Sequence, residues 1–251
     1  MKAILSKTFA LLITAFLFSN LSGQSQAYNF NGWSVFQNNE AISKLSGYSD
    51  GTPPVDTRYE GVKGSPMLYD GMVQSLIKVN FLDKYLSIKS NLDAYSNGIV
   101  FAHPSTGKLL LFPCNSVEQA VFIINGERQY IRTTKGLVFD HPIEKAKFCQ
   151  VLYSNGTTVI RTLVKLLNKA DYQGNYSPNK RYDEFVNLYT YYQAGSDQVF
   201  HKISANKKTL AALFPDKKAV IESVNDKSYD NKDDLIQAIL TKISAMDSVR
   251  H

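Results

Sequence analysis

Apolar residues recur at every second position through the middle of this chain. One such series is Val73, Ile77, Val79 and Phe81, and a second is Leu86, Ile88 and Leu92. A period of two places alternate side chains on one face, as in half-buried β-strands. We therefore predict an antiparallel β domain over residues 66–203.

The turns between these apolar runs favour hairpins. Asn-Gly pairs occur at residues 97–98, 125–126 and 155–156, each between strand-like segments. Asn-Gly is the strongest short hairpin signal because both central residues of a type I′ turn need a positive φ. Strands that are joined so closely lie next to each other, which predicts an up-and-down antiparallel meander.

Several predicted strands carry apolar residues on both faces. Residues 109–112, 121–124 and 160–167 are the clearest of these segments. Such strands need cover on two sides, which a sandwich, a partly closed barrel or helices on the back of the sheet would supply. The expected fold class is therefore mainly β (α+β), with sandwich and barrel both open.

The apolar period becomes helical after about residue 204. In the last helix Asn231 is the expected cap, and the broad apolar face consists of Leu235, Ile236, Ile239, Leu240 and Ile243. This spacing is that of one side of an amphipathic helix. We predict that the helices of residues 204–251 pack on the sheet, the alternative being that their apolar face docks a partner.

The first 27 residues have the pattern of a cleavable signal peptide. Lys2 and Lys7 precede an apolar run of about ten residues, which is too short to span a bilayer. Residues 28–65 mix Asn, Gly, Ser and Pro with isolated aromatic residues and predict an extended N-terminal segment. The mature chain has no second long apolar run, so we expect no transmembrane segment in it. The signal-peptide pattern predicts a periplasmic, outer-membrane-associated or extracellular location.

Charge narrows the possible partners. The formal net charge is +6, from 28 Lys and Arg against 22 Asp and Glu, and removal of Lys2 and Lys7 leaves +4. Acids are interspersed with the basic residues, and no basic stripe of the kind that binds phosphate backbones is present. We expect no nucleic-acid partner.

The two cysteines, Cys114 and Cys149, allow two interpretations. In an oxidising compartment a single disulfide between them is a natural expectation. The alternative is a pair of buried free thiols, since free cysteine is often a core residue.

Known catalytic and metal-binding motifs are missing from the sequence. His103 and His141 each precede a proline and are expected to be solvated turn residues, with no partner at the spacing of metal ligands. A Cys/His nucleophile pairing is disfavoured because both cysteines lie in apolar strands, which raise the pKa of a thiol. We expect no enzyme activity, no metal and no cofactor.

The segment around residues 185–192 is unusually aromatic. Tyr189, Tyr191 and Tyr192 lie on one predicted strand. Tyrosine suits contacts in which the ring packs and the hydroxyl stays hydrated. These three residues are the candidate interaction surface for a protein partner.

Four stretches resemble a known family: residues 64–68 (GSPML), 92–97 (LDAYSN), 148–156 (FCQVLYSNG) and the tail 207–243. The chain resembles exported Bacteroidota envelope proteins to which no function is assigned. The resemblance implies an envelope protein, and it makes Ser248, in the triplet Asp247-Ser248-Val249, a candidate O-glycosylation site. It carries no catalytic residue across.

Two functions follow as hypotheses. The first is a non-enzymatic envelope protein that acts as an interaction or accessory subunit of outer-membrane machinery. The alternative is a small carrier of lipid or another hydrophobic ligand with a β-barrel pocket. The oligomeric state is open in both.

Overall fold

The computed structural model describes residues 44–45, 59, 61–103, 106–170 and 182–249. Within these ranges the protein forms one mixed sheet of 11 strands with three short α-helices near the C-terminus, and the sheet is not closed. The predicted mainly β fold with C-terminal helices is confirmed. The signal-peptide prediction for residues 1–27 lies outside the described residues.

The strands are numbered in chain order. They are β1 (Val73–Val79), β2 (Leu86–Asp93), β3 (Gly98–Ala102), β4 (Leu109–Pro113), β5 (Val117–Ile124), β6 (Glu127–Thr133), β7 (Val138–Phe139), β8 (Phe148–Asn155), β9 (Thr157–Asn168), β10 (Glu184–Ala194) and β11 (Val199–Ile203). Their order across the sheet is β4-β3-β2-β1-β5-β6-β8-β9-β10-β11-β7. The sheet departs from a strict meander where β5 pairs with β1 and where β7 runs parallel to β11.

The connection from β4 to β5 shows that the sheet is curled. These strands are four places apart in the sheet, which is about 19 Å if the sheet is flat. The chain joins them with a single 3-10 turn, Cys114–Ser116, and the four steps from Pro113 to Val117 reach at most about 14 Å. The strands β1 to β6 must therefore curl to bring β4 towards β5, and we call this part the curled half.

Two of the predicted Asn-Gly turns illustrate different uses of glycine. Asn125 and Gly126 both have positive φ, 51° and 83°, and form the two-residue hairpin loop between β5 and β6. In the turn at residues 97–98, only Asn97 has a positive φ. A Cβ on Gly98 would lie 2.6 Å from the Leu111 side chain, so this glycine allows β3 and β4 to pack closely.

The core of the curled half is apolar and dense. Its largest fully buried side chains include Phe101, Phe112, Phe122 and Phe148. Leu45, from the segment predicted to be extended, is helical together with Lys44 and lies in this same core with no exposed surface. These two residues are helical, and burial of the apolar Leu45 side chain holds this part of the chain against the domain. The prediction of an extended segment over residues 28–65 otherwise lies largely outside the described residues.

The helices are α1 (Lys207–Leu213), α2 (Lys218–Ser223) and α3 (Lys232–Val249). As predicted, Asn231 caps α3, where its Oδ1 accepts a hydrogen bond from the Asp234 backbone N–H at 2.9 Å. The apolar face of α3 packs with α1, α2 and the strands β8 to β10, so the prediction that the helices pack on the sheet is confirmed. We call β8 to β11 with these helices the helix-covered half.

Among the described residues, every helix is too short or too polar to cross a membrane.

Candidate functional site

The long strands β9 and β10 form a ribbon that carries an exposed aliphatic surface. Val164 lies opposite Leu188 and Leu166 lies opposite Val186 in its antiparallel register. Partners in register share one face of a sheet, so the four side chains form one cluster, which we call the aliphatic patch. Leu166 and Leu188 are 44% and 47% exposed.

The other face of this ribbon is covered. Phe185 packs edge-on against Tyr59 and Tyr95, with ring centroids 5.0 and 5.3 Å apart. Lys165 Nζ donates hydrogen bonds to the backbone oxygens of Ser65 and Met67, and burial lowers the pKa of this lysine. Residues 160–167 were expected to need cover on both faces, and the part of the chain that the structure describes covers only one of them here.

Polar ends border the aliphatic patch. Thr162 lies opposite Thr190 at one end, and Asn168 lies opposite Glu184 at the other. Glu184 is neutralised by Lys63, with Nζ and Oε1 2.8 Å apart. An apolar centre with a polar, charge-balanced rim is the usual anatomy of a protein-binding surface.

Arg161 is a buried charged residue of β9, on the face of the ribbon opposite the aliphatic patch. It is 5% exposed and stands in register between Gln150 and Tyr191. Its Nε donates to Gln150 Oε1 at 3.0 Å, and its guanidinium carbon is 4.4 Å from the centre of the Tyr189 ring. A ring face and an amide oxygen thus stabilise a buried positive charge at this position.

Of the three tyrosines predicted as an interaction surface, Tyr191 is buried and Tyr189 and Tyr192 are partly buried. Tyr191 is 3% exposed, and its hydroxyl donates to Asp233 Oδ1 at 2.6 Å, while burial raises its pKa. Tyr192 points to the opposite face and packs on Phe139, with ring centroids 5.0 Å apart. The interpretation of these residues as one free surface is corrected: alternation along β10 separates Tyr192 from the others, and the first helical turn of α3 covers Tyr191.

A second polar group joins the helices to the sheet. Lys217, which is buried, forms an ion pair with Asp247, and Tyr153 donates from its hydroxyl to Asp247 Oδ2 at 2.7 Å. These side chains line a cleft of about 410 Å³. Burial, followed by the hydrogen bond to Asp247, raises the pKa of Tyr153. Since amine and carboxylate neutralise each other, the arrangement suits anchoring of α3 better than acid-base chemistry.

The disulfide expectation for Cys114 and Cys149 is corrected: both are free and buried. Cys114 lies in the core of the curled half, and so does Phe148. Because neighbouring side chains of a strand point to opposite faces, Cys149 points away from that core and packs with Ile160 and Phe200. Burial raises the pKa of both thiols to about 12, the opposite of what a nucleophilic cysteine needs.

The histidines lie apart from these groups. His103 was expected to be solvated but is buried, with Nδ1 accepting from the Thr106 backbone N–H at 3.3 Å. His201 lies on the surface, 3.0 Å from Asp140 and 3.4 Å from Asp197, and hydrogen bonds to Asp197 and Asp140 raise its pKa. In the described ranges no three His, Cys, Asp or Glu residues are placed to hold a metal ion.

Ser248 lies in the last turn of α3, and its role as a glycosylation site stays a prediction.

The aliphatic patch was not predicted from the sequence. The signal for it was the apolar character of residues 160–167 on both faces of the strand.

No family model, curated protein or solved structure matches this chain.

Proposed function

We propose that this protein is a non-enzymatic envelope protein that binds a protein partner through the aliphatic patch. The observation that carries the proposal is the pairing of Leu166 with Val186 and of Leu188 with Val164 on a sheet face that the described residues leave exposed. A partner that covers this face would remove aliphatic area from water, which favours binding.

The polar rim favours a protein over a lipid surface. A partner that covers the patch would exclude water from four aliphatic side chains while the Lys63–Glu184 pair at the rim stays hydrated. Membrane-binding surfaces instead place unpaired cations at the edge of their apolar residues, whereas Lys63 at this rim is paired. We therefore expect a partner with an aliphatic face of its own.

The envelope location rests on the signal-peptide pattern of residues 1–27 and on the family resemblance. The proposed accessory role in outer-membrane machinery rests on the same resemblance and on the exposed aliphatic patch. The carrier alternative would use the interior of the curled half, where Phe101, Phe112 and Phe122 are packed without exposed surface. We favour the interaction role for this reason.

Affinity purification of the tagged protein from its native envelope tests the proposal. We expect a partner that is enriched with the wild type and lost with Leu166→Asp/Leu188→Asp, since a charge in a desolvated contact costs tenfold or more in affinity, about 1.4 kcal/mol or above. Titration of the purified partner into each protein should show the same loss.

The matched control is Met72→Asp/Val138→Asp, which alters two exposed apolar residues outside the patch. This control should keep the partner. Equal enrichment by the patch variant and the wild type would overturn the proposal. A wild-type dimer in light scattering that the patch variant dissociates would overturn it too, by assigning the patch to a second copy.

A further inference from the structure

A cationic cleft lies on the face of the sheet opposite the helices. Its volume is about 480 Å³, and its wall comes from the segment between β7 and β8. Tyr192 and Lys202, which are opposite each other in the β10–β11 register, line it from the sheet. The Tyr192 ring is held in place by its edge-on contact with Phe139.

Three lysines and one acidic residue line this cleft. Lys145, Lys147 and Lys202 form no ion pair with any described residue. Glu144 is the one acid in the lining, so three positive charges and one negative charge leave +2 with His141 neutral. Asp140 is outside the lining, where it accepts from the His141 backbone N–H and contacts His201, and its negative charge reaches Tyr192.

Two other clefts in the described part of the chain have a different balance of lysines and carboxylates in their linings. In the cleft beside α3, Lys217 is paired with Asp247. The cleft between α1 and the start of α3 is lined by two lysines, Lys207 and Lys232, and by two acids, Asp226 and Asp230, and Lys207 is paired with Asp226. Among these three clefts, only the third has more basic than acidic side chains in its lining, so the excess of lysine is a local feature of that cleft.

We infer that this cleft binds a phosphate group, carried by a soluble molecule or by a lipid headgroup. Lysine ammonium groups bind phosphate as point charges, and two or three of them match a phosphate monoester of charge near −2. The volume lies within the range of small-ligand sites, and the tyrosine hydroxyl adds a neutral donor. The site is on the opposite sheet face from the Tyr153 cleft and does not use the aliphatic patch.

The test compares the wild-type protein with Lys145→Gln/Lys147→Gln/Lys202→Gln. Calorimetric titration with inorganic pyrophosphate and flotation with vesicles of phosphatidylcholine containing one fifth phosphatidic acid are the two measurements. We expect the triple variant to bind pyrophosphate at least about tenfold more weakly, or the acidic vesicles about 100-fold more weakly, because each lysine near an anionic surface contributes about fivefold.

The control is Lys89→Gln/Lys108→Gln/Lys242→Gln, which removes the same charge from exposed lysines outside the cleft. It should bind as the wild type does. Binding of pyrophosphate assigns a soluble phosphate ligand, and binding of vesicles alone assigns a headgroup. Equal weakening in both variants, or no binding of either probe by the wild type, would overturn the inference. Thermal unfolding of each variant confirms that the fold is kept.

Discussion

The curled half and the helix-covered half bury a face of the sheet in different ways. In the curled half the sheet covers itself, and its interior consists of apolar side chains such as Phe101 and Phe122. In the helix-covered half separate helices cover the sheet, and hydrogen bonds from Tyr153 and Tyr191 reach across to α3. Strand pairing fixes the arrangement of the curled half. Hydrogen bonds between the sheet and α3 fix the arrangement of the helix-covered half.

The difference has a physical reason. Backbone hydrogen bonds set the register of a curled sheet, so its side chains need only fill the interior. Helices that lie on a sheet share no backbone bonds with it, and apolar contact alone is non-directional. The Asp233 and Asp247 contacts lie near the two ends of α3 and can therefore define its position.

The largest effect is expected from emptying the curled interior. Phe101 is fully buried and stacks on Phe112 with ring centroids 4.3 Å apart. Phe101→Ala should lower the free energy of unfolding by about 3–5 kcal/mol, measured by urea denaturation, because a cavity adds to the lost transfer energy. Phe81→Ala, at a side chain 47% exposed, should cost less than about 1 kcal/mol. Equal losses would contradict the contrast between interior and surface.

A smaller effect is expected from breaking the polar contact at the C-terminal end of α3. Asp247→Ala leaves the buried Lys217 amine with only the more distant and exposed carboxylate of Asp216, 3.6 Å away, and should cost about 3 kcal/mol in the same urea experiment. Lys217→Met/Asp247→Leu removes both charges and should recover most of this loss. If Asp247→Ala is neutral, the ion pair does not position the helix.

The smallest effect concerns alkaline pH. The pKa values of Tyr153 and Tyr191 are raised by burial, so the folded state keeps these protons above about pH 10, where the unfolded chain releases them. Their stabilising contribution is complete below about pH 10 and is lost as the pH rises further. Tyr153→Phe/Tyr191→Phe should therefore show a flatter decline in urea stability between pH 8 and 11.

The same double variant should lose about 1–2 kcal/mol at pH 8 for each hydroxyl–carboxylate hydrogen bond removed. Part of the alkaline decline should remain, since the thiols of Cys114 and Cys149 have pKa values raised to about 12 and act in the same direction from about pH 9. If the free energy of unfolding falls with pH as steeply in the variant as in the wild type, ionisation of these two hydroxyls does not contribute to the alkaline loss of stability.

Local signals gave reliable predictions where the cause was itself local. The Asn125-Gly126 turn and the Asn231 cap follow from backbone preferences within a few residues, and both have the predicted geometry. The candidate site was predicted less well. The tyrosines of β10 were correctly placed on a strand, but their exposure depends on α3 and on the segment before β8, which are distant in sequence.

The residues themselves determined that this chain makes antiparallel strands followed by amphipathic helices, because side-chain periodicity depends only on the backbone repeat. Only the tertiary structure decided that β5 pairs with β1, that Leu45 enters the core and that Cys114 and Cys149 point to different faces. It also decided that the described residues leave the aliphatic patch exposed and that three lysines line one cleft together with Tyr192. Pairing and cover depend on contacts between distant segments, and these are set by the lowest free energy of the whole chain.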